Sequence, residues 1–396
     1  MIMTFQSRTG SGHALFLSTT GFAVSFAIWG LLAALAPTFT ELYQLSATQK
    51  SIMIAMPVLL GSIGRFATGM AADRFGGRNV FSALLLLSAF PAIAIGFTTN
   101  YTQLLICGLL LGIAGTTFPV GVGFTSRWFP PEKQGAALGI YGMGNIGQSL
   151  AVFLAPVLAI YLGDWRTVFF IFACVAVIWA AVFFFSAHND STTARPKSLA
   201  ESLRPLKESK IAWVLSLFYF LTFGGFVALA LFMPTFLREL FNLTPTDAGA
   251  RTAGFVVLAT LVRPVGGILA DKVGGAKVLT VVFVGIAILA LFLSFTSITL
   301  FTIGALGTAT FLGLGNGAVF KLVPQYFPKE TGTVTGLVGT FGGLGGFFPP
   351  IGLGLVKEET DSYLIGFALL SAFSLMCLVV NYVSFLRKPI LASATD

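Results

Sequence analysis

The sequence predicts an all-α membrane protein: twelve transmembrane helices in two pseudo-symmetric six-helix bundles. Three observations carry that expectation. Of 396 residues, 56% are hydrophobic and 10% charged, and the mean hydropathy is +0.90. A soluble domain carries about a quarter charged residues, so this chain has too few to face water. The apolar residues also gather into runs near the ~20 residues that a bilayer-spanning helix needs. Finally, the chain repeats itself at a constant offset of 198 residues, half its length, a periodicity that sets the architecture before any single motif does.

The repeat is clearest where RFATGMAADRFGGR, starting at Arg65, returns as RPVGGILADKVGGAK, starting at Arg263. Gly69 pairs with Gly267, Asp73 with Asp271, Arg74 with Lys272, and Gly76-Gly77 with Gly274-Gly275. Further on, Gly115, Glu132, Gly144 and Gly147 pair with Gly313, Glu330, Gly342 and Gly345.

In chain order the expected spans are residues 15–38, 50–72, 79–98, 102–125, 135–158 and 165–187, then 211–235, 247–270, 276–296, 299–323, 331–356 and 363–386. The first run is long enough to span and has no small-residue cleavage site after it, so it reads as a retained helix and not a signal peptide. Residues 1–187 form the N-terminal bundle and 211–396 the C-terminal one. Between them, 188–210 reads HNDSTTARPKSLAESLRPLKESK, a polar linker. With the termini and this linker in the cytoplasm, fifteen Lys and Arg fall inside and five outside, as the positive-inside rule demands. This is the expected pattern of a multi-pass protein of the cytoplasmic (inner) membrane with both termini inside. The net charge of +8 therefore answers to the membrane, not to nucleic acid.

Several function classes drop out. Cys107, Cys174 and Cys377 lie far apart in apolar runs, with no metal spacing. No cofactor or metal is expected. No paired buried carboxylates and no Ser-His-Asp set point to an enzyme, and the GLGNG-type glycines lie inside apolar spans, not after a strand as a nucleotide loop requires. An arginine-lined anion channel is conceivable, but a two-fold repeat joined by a long linker favours alternating access.

The costly residues carry the chemistry. Arg65 and Arg263 each lie eight residues before a cytoplasmic aspartate, which at ~1.5 Å rise puts them ~12 Å into the bilayer. A charge there costs ~2.5–3.5 kcal/mol or more. All fifteen Asp and Glu fall in loops, tails or span ends, so no carboxylate is expected at the arginines' depth. Two guanidiniums in a central cavity want an anion, and a planar fork suits a flat oxyanion; the bland alternative is that both side chains snorkel to the surface. Asp73 and Asp271, with their basic neighbours, are read as parts of a cytoplasmic gate. Gly142, Gly144 and Gly147 of span five, and Gly339, Gly342, Gly345 and Gly346 of span eleven, are read as close-packing positions that leave room for rocking. Asn145 needs a partner for its amide and either caps a neighbouring helix or donates to the anion. Lys321 is read as a snorkelling lysine or a second cation on the exit path.

The plan of two parallel six-helix repeats, with DRFGGR after the second span and DKVGGAK as its echo, resembles the major facilitator superfamily. More narrowly, GIYGMGNIGQSLAVFLAP (139–156) and GLVGTFGGLGGFFPP (336–350) look like the paired signatures of the nitrate/nitrite porter family. That resemblance implies a transporter whose anion, nitrate or nitrite, is bound by Arg65 and Arg263. It further implies that Asn145 matches the family's span-five asparagine. In SLFYFLTFGGF (216–226), Tyr219 would hydrogen-bond the substrate and Phe223 pack on it, with Phe118 of GTTFPVG the opposing aromatic. One chain would hold a complete site and work as a monomer in the lipid bilayer. Because arginine keeps its proton, an empty carrier would return slowly, which favours nitrate/nitrite exchange. Proton-coupled nitrate uptake, or carriage of another small anion, are the alternatives.

Overall fold

A computed structural model describes residues 10–189, 209–360 and 362–387; for 47, 48, 51, 235, 245, 246 and 350–359 it describes the backbone alone. Nearly all of the expected linker lies outside the described residues.

The described chain is helical. The first half holds α1 (Ser11–Ala34), α2 (Ala36–Tyr43), α3 (Ala47–Phe75), α4 (Gly77–Ile95), α5 (Tyr101–Leu111), α6 (Thr117–Ser126), α7 (Pro131–Gly142), α8 (Ile146–Leu162) and α9 (Trp165–Ser186). The second half holds α10 (Lys210–Tyr219), α11 (Gly225–Phe241), α12 (Pro245–Leu261), α13 (Arg263–Val273), α14 (Gly275–Phe292), α15 (Ile298–Tyr326), α16 (Thr331–Thr360) and α17 (Leu364–Asn381). Merged across short breaks, eleven stretches among the described residues are long and apolar enough to cross a membrane. The remaining expected span, 331–356, is the continuous glycine-rich helix α16.

Span edges differ from expectation where proline and capping chemistry intervene. The first span, expected at 15–38, stops at Ala34 and restarts as α2 with Pro37 in its first turn, where a missing N–H costs nothing. Ser46 and Gln49 cap α3 reciprocally: the Gln49 N–H donates to Ser46 Oγ at 3.2 Å and the Ser46 N–H to Gln49 Oε1 at 3.0 Å. Asn100 and Asp164 accept from first-turn amides of α5 and α9 in the same way.

The outward surface is apolar. Phe90, Phe153 and Ile160 are 64%, 70% and 83% exposed, a surface that suits hydrocarbon and not water. Between helices, buried hydroxyls and amides donate to main-chain carbonyls: Ser25 to Ala114, Ser371 to Ala287, Ser374 to Phe283 and Asn381 to Ala276. This is how polar groups are satisfied where no water reaches.

The chain forms two compact units. One comprises Met1–Pro130, Ile140–Arg204 and Phe327–Thr340; the other comprises Pro131–Gly139, Pro205–Tyr326 and Phe341–Asp396. In the first, α1 packs along α8 and α4 along α9; in the second, α14 packs between α15 and α17. The helices α7 and α16 are each shared, their starts belonging to one unit and their remainders to the other. The repeat is visible in the backbone. The loop glycines Gly76 and Gly274 have φ of 85° and 95° with ψ of 142° and 135°, a region open to glycine alone.

Candidate functional site

In the first unit the site grows from Arg65, 3% exposed on α3. Its Nε donates to the carbonyl of Gly115 at 3.1 Å and its Nη1 to that of Gly339 at 3.0 Å. The guanidinium carbon lies 5.6 Å from the centre of the Phe118 ring. Gly115 sits in a 3₁₀ turn, Gly112–Thr116, between α5 and α6; such mid-helix breaks in the α ladder often mark functional hinges. A Cβ on Gly339 would stand 3.1 Å from Arg65 Cδ, so the bare glycine lets the arginine reach its carbonyl.

Phe118 belongs to an aromatic stack. Tyr141 lies 5.9 Å from Phe118 and 4.9 Å from Phe22, and its hydroxyl donates to the Phe118 carbonyl at 3.1 Å. Asn145, one helical turn beyond Tyr141, is 7% exposed and ends a second 3₁₀ turn, Met143–Asn145, which follows Gly142. Gly144 and Gly147 lie on α1: a Cβ on them would stand 2.4 Å from Phe22 and 1.9 Å from the Ala23 carbonyl.

In the second unit Arg263 opens α13 and is 2% exposed. Its guanidinium carbon is 5.6 Å from the Phe223 ring centre and 5.4 Å from that of Phe226. Tyr219 ends α10, and Phe223 lies in the π-helical turn Phe220–Gly224 that follows. The two rings stack at 5.0 Å and 10°, and Phe320 of α15 meets Tyr219 edge-on at 4.6 Å. Helix α16 closes against this turn through glycine. A Cβ on Gly342 would be 2.3 Å from Tyr219 Cδ1, one on Gly345 would be 2.4 Å from the Phe220 carbonyl, and one on Gly346 would be 2.7 Å from Val227.

Each repeat aspartate accepts from main-chain amides of a helix. Asp73 accepts from the N–H groups of Gly332 (3.1 Å) and Thr333 (2.7 Å) and from the Thr333 hydroxyl (2.9 Å), all on the first turn of α16, and pairs with Arg127 at 3.2 Å. Asp271 accepts from the N–H groups of Gly135 (2.9 Å) and Ala136 (2.8 Å) of α7 and pairs with Lys321 at 2.8 Å. Asp73 thus sits at a helix N-terminus, where a carboxylate meets both bare amides and the positive end of the dipole, whereas Asp271 takes amides from the second turn of α7.

Lys321 corrects the expectation of a snorkelling lysine. Its side chain is 9% exposed, held by Asp271 and by the Pro131 carbonyl. Pro131 O and Gly135 N are the natural acceptor and donor of one helical turn, and both engage the Asp271–Lys321 pair. Burial wins because the carboxylate that neutralises the lysine is itself buried.

The structure thus gathers Arg65 with Phe118 and Gly339 in one unit, and Arg263 with Phe223, Tyr219 and Gly342 in the other. Reading the sequence missed Tyr141, Phe22, Phe226, Phe320 and Arg127. Tyr141 could have been found, since it lies four residues before Asn145 inside the quoted signature. The others carry no signal among 41 phenylalanines and 23 basic residues.

Comparison with known proteins agrees with this architecture. Residues 17–350 match the Major Facilitator Superfamily. The chain is 40% identical over 369 residues to a nitrite extrusion protein of Bacillus subtilis (strain 168), covering 92% of each. It is 39% identical over 373 residues to a probable nitrate transporter NarT of Staphylococcus haemolyticus (strain JCSC1435), covering 94% of this chain and 96% of that one. Among solved structures, the human organic anion transporter MFSD10 superposes with a TM-score of 0.77 at 15% identity, over 94% of this chain and 100% of that chain. The proton:xylose symporter XylE gives 0.79 at 12% identity over 96% of each. At such identities these two speak for the fold alone. With relatives this similar over nearly its whole length, the chain is a multi-pass membrane transporter, not an enzyme, and belongs to the nitrate/nitrite porter family of the major facilitator superfamily.

Proposed function

We propose that this chain carries nitrate and nitrite across the cytoplasmic membrane by alternating access, with the anion held by Arg65 and Arg263 and with exchange of the two anions favoured. The observation that carries this reading is the twinned burial of one arginine per half, 3% and 2% exposed, each with its guanidinium against a phenylalanine ring. A buried cation is expensive. Two carbonyls and a ring face meet Arg65, and two ring faces meet Arg263; such groups orient a guanidinium and leave it cationic.

The chemistry then follows from the groups present. Phe118 and Phe223 offer flat faces that suit a planar oxyanion lying in a slot. The Tyr219 hydroxyl and the Asn145 amide are the directional donors. Bound anion neutralises the two arginines and lets the bundles, 1–187 and 211–396, change orientation as bodies. An empty site keeps two charges that cannot be shed as protons, so the return step wants a second anion. Asp73 and Asp271 lie on the cytoplasmic side, as do both termini, and their grip on α16 and α7 is the gate that opens and closes there. One chain supplies every group named and acts as a monomer.

The test is counterflow in proteoliposomes with nitrate, nitrite, chloride and formate, using purified wild type and the Arg65→Lys and Arg263→Lys variants. Nitrate and nitrite should exchange with little net uptake into empty vesicles. Each lysine variant keeps the charge but loses the fork and should raise the nitrate KM at least roughly tenfold, the worth of one hydrogen bond to a charged group. Normal nitrate affinity in either variant sinks the arginine site. Ready uptake into nitrite-free vesicles, driven by a pH gradient, sinks exchange.

A further inference from the structure

In sequence Asn316 is one polar residue of an apolar span. It lies in GLGNGAVF on α15 and is 2% exposed. Among the described residues neither its Nδ2 nor its Oδ1 has a hydrogen-bond partner. An amide buried with both ends unsatisfied is costly to the fold, and in a packed helix such a group points to a use.

The helix shows where it is aimed. A Cβ on Gly317 would strike the Arg263 carbonyl at 2.2 Å, and one on Gly313 the Ala259 carbonyl at 2.4 Å. That side of α15 therefore lies on the junction of α12 and α13. A Cβ on Gly315 would strike Thr222 Cγ2 at 2.6 Å, so the other side lies on the π-helical turn. At 100° per residue, position 316 bisects positions 315 and 317. Its side chain enters the wedge between the start of α13, which bears Arg263, and the turn that bears Phe223. Phe320, one turn further on the same face, contacts Tyr219 within that wedge. The Thr222 hydroxyl beside it is also buried and unpartnered.

The internal repeat reaches the same place independently. Counting 198 residues on from Phe118 gives 316. Phe118 lies against the Arg65 guanidinium, and the repeat pairs position 316 with it as it pairs Arg263 with Arg65. Where one half has a ring, the other has an amide.

We infer that Asn316 is a further anion-binding residue: Nδ2 donates to an oxygen of the anion on Arg263, while Oδ1 turns to a guanidinium N–H as the two close on it. This rests on the reading of Arg263 as an anion ligand. A directional donor beside the fork selects an oxyanion, which offers separate oxygen acceptors, over a spherical halide. Asn316 is thus assigned a part in specificity as well as affinity.

The experiment uses the full chain, purified and reconstituted, with sodium nitrate as the probe and chloride as competitor. Asn316→Leu keeps the volume and removes the amide. Its thermal midpoint without anion should equal or exceed that of wild type, since an unsatisfied polar pair is gone. The nitrate-induced rise in midpoint should vanish, and the nitrate KM in counterflow should rise roughly ten- to hundredfold. Competition by chloride should become stronger relative to nitrate. Asn316→Asp should abolish nitrate transport. Asn316→Leu with wild-type nitrate KM and wild-type nitrate stabilisation overturns the inference and leaves the amide serving an internal water. If Asn316→Leu does not fold, Asn316→Ser carries the same test, and unchanged nitrate KM there overturns it equally. A wild type that neither transports nitrate nor is stabilised by it overturns the reading of Arg263 as well.

Discussion

Removing the Lys321 ammonium should weaken the protein far more than removing the Arg127 guanidinium, although both are the cations of matching repeat aspartates. The Lys321–Asp271 side chains are 9% and 7% exposed and meet at 2.8 Å; those of Arg127 and Asp73 are 25% and 4% exposed and meet at 3.2 Å. Breaking a buried pair by deleting one partner costs about 3–5 kcal/mol, because a charge is stranded. At Asp271 the Gly135 and Ala136 amides remain, so Lys321→Met should fall near the lower end, about 3 kcal/mol. Asp73 keeps three donors from Gly332 and Thr333, and its arginine is partly solvated, so Arg127→Met should cost about 1 kcal/mol. Adding Asp271→Asn to Lys321→Met removes the stranded charge and should restore most of the loss, a coupling of about 2 kcal/mol. The assay is denaturant unfolding in detergent, followed by a thiol-reactive dye at the buried Cys377 after Cys107 and Cys174 are replaced by alanine. Equal losses at the two ion pairs, or no recovery in the double variant, would refute the argument that burial sets the worth of these contacts.

Gly342→Ala should disable transport while leaving the protein folded, because its methyl would stand 2.3 Å from Tyr219 Cδ1 and push that ring off its stack with Phe223; a wild-type nitrate KM would show that the stack is dispensable. Gly274→Ala has open space around it but a φ of 95° with ψ of 135°, so it should lower stability by about 1–3 kcal/mol through backbone strain alone, read as a lower unfolding midpoint. Asp164→Ala removes the cap of α9 and should cost about 1 kcal/mol with transport unchanged. Burial pushes the Asp164 carboxyl up, but hydrogen bonds from the Arg166 amide and from the Thr167 hydroxyl and amide, with the Arg166 charge, leave it below the usual carboxylate range. Its contribution is therefore whole above a pH of about 3.9 and lost as pH falls through the lowered value, so the gap between wild type and Asp164→Ala should close in acid.

What was legible in the sequence divides by physical cause. Arg65 and Arg263 declared themselves because a charge in an apolar run has few explanations. The glycine pairs of the two loops declared themselves because a positive φ demands glycine at both copies. Asp73 and Asp271 look like twins in sequence, and each accepts from two successive helix amides, but the grips are shifted by one position of the repeat: Gly332 and Thr333 for Asp73, Gly135 and Ala136 for Asp271. Their cations are not twins. The position 198 after Arg127 is Gln325, and that 198 before Lys321 is Gly123. Each half found its positive charge on a different helical position, and no offset could reveal a partner that folding alone brings near.

The same limit hides the irregular turns. The breaks at Gly112–Thr116, Met143–Asn145 and Phe220–Gly224 hold Gly115, Asn145 and Phe223, while α15 runs unbroken through the counterpart of the first. A glycine-rich apolar run permits a continuous helix or a broken one, and packing decides which. Where α15 stays regular, the amide at 316 holds the repeat position that Phe118 holds in the first half. A carrier built from a doubled ancestor-like plan can thus keep its two arginines alike and differentiate the groups around them. On the reading proposed above, one half would present a ring to the anion and the other a ring and an amide, a difference that would fix the orientation of a flat substrate that two identical arginine pockets leave ambiguous.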